Sequence, residues 1–419
     1  MSRIFVFLFG LLLAAGVFAD DCVECHKKVT PGAVADWEAS KHSTATKDRA
    51  TCATCHGKNH TGKDDAKLAK MPTAETCGSC HDKQEAQFRK GKHNHAWSAL
   101  QAMPTTHMLP RQLADGMKGC GGCHKMGIKS KDEIARLKAE GSRYGNASCD
   151  ACHTRHTFSK KEAQQPQACQ TCHMGFDHPQ WEMYSTSKHG TRALLKQAGI
   201  MPEKSVAPTC QTCHMQDGDH EVRTAWGFLA VRLPLSDDPQ WKADQVAILQ
   251  ALGVLDPKGN PTARLDVVKA ADVARLDQAS FDKERNKMIK TCAQCHAESF
   301  AKGELDKGDQ IIRQADHLLA EAIRIIAGLY QDGVLKKPAG YAYDFPDLLA
   351  FHDAPTPIEH KLFVMHLEHR MRAFQGAFHA NPDYALWYGW SEMLQDLAEI
   401  KDMAADLREK HAHGKTVKK

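Results

Sequence analysis

Residues 4–15, IFVFLFGLLLAA, form an almost unbroken apolar run, and no later segment is as apolar over that length. Arg3 precedes the run, and Val17 and Ala19 satisfy the small-residue rule at a cleavage site. The pattern predicts a secretory signal over residues 1–19, with Asp20 as the mature start. An uncleaved anchor would need roughly 20 apolar residues to span a bilayer, and the run is shorter. The mature chain is therefore expected outside the cytoplasmic membrane, as a soluble protein. From 20 to about 225 the chain is polar and broken by Gly and Pro, with no sustained apolar periodicity. The character changes at TAWGFLAVRLPL, and residues 234–290 read as helices around the turn DPKGNPTAR. Ile311, Ile312, Ala315, Leu318, Leu319, Ala322, Ile326 and Leu329 then mark one helical stripe, with Gly333 as a stop. A second helix is expected from near Pro357, with Leu362, Met365, His366 and His369 on one side. A third runs from about Ser391 through Leu394, Leu397, Ile400, Ala404 and Leu407. No alternating strand pattern emerges. The predicted fold is mainly α, with one region over 20–225 and a long-helix region over 226–419.

The chain has 419 residues, 42% of them apolar, which is ample for a core. Cysteine usage changes the picture of how that core is built. All sixteen cysteines fall in one pattern, Cys-x-x-Cys-His. The copies are Cys22-Cys25-His26, Cys52-Cys55-His56, Cys77-Cys80-His81, Cys120-Cys123-His124, Cys149-Cys152-His153, Cys169-Cys172-His173, Cys210-Cys213-His214 and Cys292-Cys295-His296. A lone copy would fit a zinc knuckle or a redox pair, and an even cysteine count in an exported chain would fit a disulfide framework. Eight copies with no cysteine left over point instead to eight c-type haems. The chemistry needs this arrangement: two thiols add to the two vinyl groups of one haem, and the adjacent histidine lies under the iron as its proximal ligand. Between 20 and 225 the haems themselves are expected to serve as the core. Seven motifs fall there, at irregular intervals that exclude a simple tandem repeat, and the eighth lies in the later region.

The formal charge of +4 carries no nucleic-acid inference. Haem propionates would offset it, and the basic residues read as their partners or as a solvated face.

Low-spin haems take a second strong axial ligand, commonly histidine. Of 25 histidines, eight are proximal. Several others lie in polar loops near the motifs: His42, His60, His93 with His95, His107, His156, His178, His189 and His220. If one haem stays open for substrate, seven distal ligands are needed, and the expected set is His42, His60, His93, His107, His156, His189 and His220. His317, His352, His360, His366 and His369 read as satisfied or solvent-facing, and His411 and His413 as solvated. Met174 and Met215 follow proximal histidines and are expected to pack on porphyrin.

With CHMGFDHPQWEMYSTSKHG, CHMQDGDHEVRTAWGFLAVRLP and CAQCHAESFAKGEL alongside the eight motifs, the chain resembles the octahaem hydroxylamine oxidoreductase family over nearly its whole mature length. Pentahaem nitrite reductases and octahaem tetrathionate reductases typically carry a Cys-x-x-Cys-Lys site, which this sequence lacks. The resemblance implies that the fourth haem, at Cys120, Cys123 and His124, is five-coordinate and catalytic. It implies that Asp177 and His178 form the catalytic pair over its open face. By the residues alone, Asp177 equally caps a turn before Pro179 while His178 ligates a haem. Oxidative members cross-link the catalytic haem to a neighbouring subunit's tyrosine. Tyr384 is the nearest positional match and Tyr388 the second, although both also read as packed aromatics. Without the cross-link the family is expected to run reductively, on nitrite or hydroxylamine.

The expected function is thus that of a periplasmic multihaem oxidoreductase for hydroxylamine, nitrite or nitric oxide, with seven haems relaying electrons. Implied partners are a redox cytochrome or quinol-linked donor or acceptor, and two further copies in a homotrimer. The rival is a pure electron carrier without a substrate site.

Overall fold

The computed structural model describes residues 19–47, 49–102, 119–139, 148–175, 177–226, 230–270, 272, 274–337, 346–350 and 354–416. The expected signal up to residue 18, His107 and His352 lie outside these. Among the described residues the regular elements are helices, joined by one isolated bridge between Leu255 and Pro261. None is long and apolar enough to cross a membrane.

The longest helix, Glu298–Gln331, organises the second half. Its inward stripe includes Ile312, Ala315, Leu319, Ala322, Ile326 and Leu329, all fully buried. The spacing of three and four residues keeps them on one face. The helix stops as expected: Gly333 takes φ +67°, a left-handed conformation that glycine adopts without a Cβ penalty. Against this stripe pack Pro239–Ala251 and Ser391–Thr416. In Ser391–Thr416 the buried face is Met393, Leu397, Ile400 and Ala404. Leu394, expected in that stripe, is 40% exposed. One residue is a rotation of about 100° on a helix, and Met393 takes the inward position instead.

Pro357 opens the next helix at its first turn, where its missing N–H costs nothing. Pro357–Val364 passes through a π-helical turn, Met365–Arg370, into Met371–Phe378. The wider turn lets Met365 and Arg370 both point into the core, each with no exposed surface. Arg370 binds the equally buried Asp316, with Nη2 donating to Oδ1 at 2.6 Å, and also donates to the Ala230 carbonyl at 2.7 Å. Trp241 Nε1 donates to the other carboxylate oxygen at 2.9 Å. Burial pushes the Asp316 carboxyl up, against the pull of the guanidinium. The later histidines divide. His369 and His317 pair with Asp396 and Asp244, at 2.6 Å and 3.0 Å. His366 departs from the expected satisfied or solvent-facing state: it is buried with Nδ1 unpartnered, and burial lowers its pKa to about 3.

Through residue 225 the described elements are helices of three to eleven residues, and the buried apolar side chains, such as Val34, Trp37, Phe88, Trp97, Leu100 and Met183, are scattered. Among the described residues that half holds no continuous apolar cluster comparable to the one around Glu298–Gln331. Its organisation follows the attachment motifs instead.

Candidate functional site

Cys52–His56 and Cys210–His214 are single helical turns, and Cys22–His26 lies within the helix Ala19–Val29. The histidine N–H returns to the first cysteine's carbonyl at 2.9 Å for His81 and His124, and at 3.0 Å for His153, His173 and His296. That closure presents both sulfurs and the imidazole together. Threonines start three of the turns: the Thr54, Thr76 and Thr212 hydroxyls accept from the Thr51, Thr73 and Thr209 N–H at 3.0, 3.1 and 3.0 Å.

Several motif imidazoles are oriented through Nδ1. That of His56 donates to the Lys70 carbonyl at 3.0 Å, and that of His124 to the Ala96 carbonyl at 3.3 Å. A carbonyl only accepts, so Nδ1 carries the hydrogen and Nε2 is free to bind metal.

Each motif histidine faces a second histidine. The ring centroids are 6.0 Å apart for His26–His60, 6.3 Å for His56–His156 and 6.2 Å for His81–His42. They are 6.4 Å apart for His153–His220, 6.0 Å for His173–His93, 6.4 Å for His214–His379 and 6.0 Å for His296–His189. A metal–imidazole bond of about 2.0 Å, plus the reach from ring nitrogen to ring centre, puts two imidazoles sharing one metal roughly 6.3 Å apart. The residues present therefore fit haem c with two axial histidines. The facing rings are prepared in the same way: Nδ1 of His220 donates to the Gly218 carbonyl and that of His379 to the Gln375 carbonyl, both at 2.7 Å. Burial lowers His93 and His214 to about 4, and lowers His379 as well, which keeps these rings neutral. Among the described residues, no cluster of three or more His, Cys, Asp and Glu is arranged for a bare ion.

Six of the expected distal histidines, His42, His60, His93, His156, His189 and His220, thus each stand opposite one motif. His379 lies outside the expected set, which falls in polar loops close to the motifs. It follows the Met371–Phe378 helix, and nothing in its sequence neighbourhood announces a ligand.

The fourth motif differs. The His124 ring faces His178 at 6.3 Å, and His178 lies equally far from His173. Each of the seven facing histidines above serves a single motif ring, whereas His178 stands between two. Its Nδ1 meets Asp177 Oδ2 at 2.9 Å, and both side chains keep access to solvent, at 42% and 36%. Burial raises the Asp177 carboxyl, but the hydrogen bond and charge of His178 outweigh it and hold the group below the ordinary carboxylate range.

The motifs also adjoin one another. Cys149 is within hydrogen-bonding reach of Cys77, Cys210 of Cys169, and Cys172 of Cys123. Cys22 lies beside Cys52, Cys77 beside Cys55, Cys169 beside Cys152, and Cys292 beside Cys213. The attachment sites therefore form one connected series, first, second, third, fifth, sixth, seventh, eighth, with the fourth against the sixth.

Tyr384 and Tyr388 lie 5.1 Å apart at the π-helical turn Leu386–Trp390, where Trp387 and Tyr388 are exposed. Among the described ring contacts, neither tyrosine reaches His124 or His178 of its own chain. Met174 is 49% exposed to solvent from the protein alone, and His413 is solvated beside Glu409.

The model of the family described as "seven times multi-haem cytochrome CxxCH" matches residues 48–232 and 264–340. A probable nitrite reductase–hydroxylamine oxidoreductase fusion protein of Kuenenia stuttgartiensis is 28% identical over 93% of this chain and 52% of its own length. The chain thus spans about half of that curated relative. The multiheme cytochrome MtrA of Shewanella baltica is 23% identical over 48% of this chain and 67% of its own. Among solved structures, a reducing HAO-like protein complex of Kuenenia stuttgartiensis superposes with a TM-score of 0.71 at 25% identity, covering 95% of this chain and 87% of that one. A hypothetical multiheme protein shares the fold at 18% identity, with a TM-score of 0.68 over 95% and 97% of the two chains. Repeated attachment turns, paired imidazoles and a helical, hydroxylamine-oxidoreductase-like architecture agree with the family match: the chain belongs to the multi-haem cytochrome CxxCH family.

Proposed function

We propose that the chain is an exported octahaem cytochrome c that exchanges electrons with a small inorganic nitrogen compound at the fourth motif, and that it runs reductively, taking nitrite or hydroxylamine to ammonia. The observation that carries this reading is the Asp177–His178 pair above His124. A haem held at His124 would supply an iron that binds the substrate nitrogen and passes electrons to or from its neighbours. The protein's own part is the proton. Cleaving an N–O bond of hydroxylamine consumes protons with the electrons, so a donor positioned beside the ligand speeds the step. Asp177 engages Nδ1 of His178, which leaves Nε2 to exchange a proton beside the His124 ring. The solvent access of both side chains allows the pair to be reprotonated after each transfer. The connected series of motifs supports electron delivery from either end. The family resemblance supports a homotrimer and a redox partner that is a cytochrome or is linked to quinol.

One observation favours a second reading. The 6.3 Å spacing of His124 and His178 equals that of the axial pairs, so His178 could close the fourth site and leave an electron carrier. Electron paramagnetic resonance of the fully loaded ferric protein separates the two. The enzyme reading expects one high-spin centre that cyanide or nitrite converts, together with ammonia formation from hydroxylamine and a reduced dye. An entirely low-spin spectrum, unmoved by cyanide and without turnover, would establish the carrier.

A further inference from the structure

The 3₁₀ turn Lys92–His95 carries His93, which faces His173. Its neighbour Lys92 has no role in that pairing. The turn is fixed from the other side. Arg223 donates to the Lys90 carbonyl through Nε and Nη2 at 3.2 and 2.8 Å. Gly91 packs so closely that a Cβ there would lie 2.3 Å from the Glu221 carbonyl oxygen. Lys92 Nζ donates to the Trp226 carbonyl at 3.1 Å, which uses one of its three hydrogens. The charged groups acting on it are Arg275 and Arg223, both of its own sign. Of the nearby acids, Asp272 and Glu221 pair with Arg223, Asp272 also with Arg275, and the buried Glu284 acts on Arg275. Arg275 is itself 3% exposed, with Nε unpartnered. The protein therefore sets cations and unused donors beside an axial histidine, and among the described residues no carboxylate is paired with Lys92. Such a group is costly unless a counter-charge meets it.

We propose that Lys92 binds a carboxylate, namely a propionate of the haem carried by His93 and His173, and that its positive charge raises that haem's reduction potential. A free anion such as nitrite has the same chemistry, and the experiment separates the two sources. The proposal goes beyond the reading at the fourth motif. It is tested without turnover, so it stands or falls whether or not that site takes substrate.

The test is a spectroelectrochemical titration of the fully loaded protein and of Lys92→Gln and Lys92→Arg. In Lys92→Gln one haem should become harder to reduce, its reduced-to-oxidised ratio at fixed potential falling about tenfold, equivalent to ~59 mV. Lys92→Arg should restore most of the ratio, and added nitrite should leave the wild-type titration of that haem unchanged. Unaltered titrations of every haem in Lys92→Gln would overturn the proposal. A nitrite-dependent shift in the wild type that disappears in Lys92→Gln would overturn it too, assigning Lys92 to a free anion. If Lys92→Gln fails to load its haems, resonance Raman spectra of the wild type in H₂O and D₂O read the same contact. A propionate bending band that moves on exchange in the wild type, and whose frequency changes in Lys92→Arg, supports the pairing; bands unmoved by exchange and identical in the two proteins overturn it.

Discussion

Replacing His178 with Ala tests the chemistry most directly. The ring is 6.3 Å from His124 and 6.3 Å from His173, so its removal leaves the six facing pairs other than His173–His93 untouched. All covalent haems should remain, since the attachment sulfurs are untouched. A positioned general acid contributes roughly 10²- to 10⁴-fold, so turnover of hydroxylamine or nitrite should fall by that factor, about 3–5 kcal/mol at 1.36 kcal/mol per decade. Asp177→Asn should cost much less. Its bond to His178 is 2.9 Å, but the two side chains are 36% and 42% exposed. An ion pair that open to solvent is worth about 0–1 kcal/mol, so the loss should be no more than about fivefold, with the amide still able to accept from Nδ1. The assay is ammonia formation under single-donor conditions, with paramagnetic resonance on the same samples. If His178→Ala gains a new high-spin centre while turnover stays within twofold of wild type, His178 is an axial ligand and the proton argument fails.

Denatured mass should exceed that of the apoprotein by eight haem masses, and the peptide containing Cys120–His124 should carry no tyrosine peptide; an attached Tyr384 or Tyr388 peptide would reverse the proposed direction. His379→Ala should open the seventh site and add one high-spin signal that an external imidazole quenches, whereas an unchanged spectrum would remove His379 from the ligand set. Gly190→Ala should displace the Lys188–Gln197 helix, because its Cβ would sit 1.8 Å from the Tyr184 carbonyl oxygen; the expected readout is weakened low-spin absorption from the His189–His296 site. Arg370→Met alone should destabilise the helical region by about 3–5 kcal/mol, since it leaves Asp316 buried and unpaired, and denaturant melts followed by circular dichroism would show a lowered midpoint.

How much of the protein was legible in its sequence depends on the range over which each feature is decided. Haem attachment is settled within five residues: one helical turn places Cys120, Cys123 and His124 together, so spacing alone announces the chemistry. The Glu298–Gln331 stripe is equally local, because helical periodicity puts Ile312, Ala315 and Leu319 on one face in any fold. A second axial ligand needs only a ring about 6.3 Å away from any direction, and no local rule supplies it. Loop histidines close in sequence to the motifs are within reach of a local reading, and His379 is not, since it follows a helix of the second half and meets His214 only in the fold. The π turn that brings Arg370 to Asp316 is likewise invisible to a 3.6-residue pattern. The sequence determined where the attachment motifs lie and which segments are helical. Only the tertiary structure decided which imidazoles face one another, because that pairing depends on how distant segments pack and not on the spacing within any one of them.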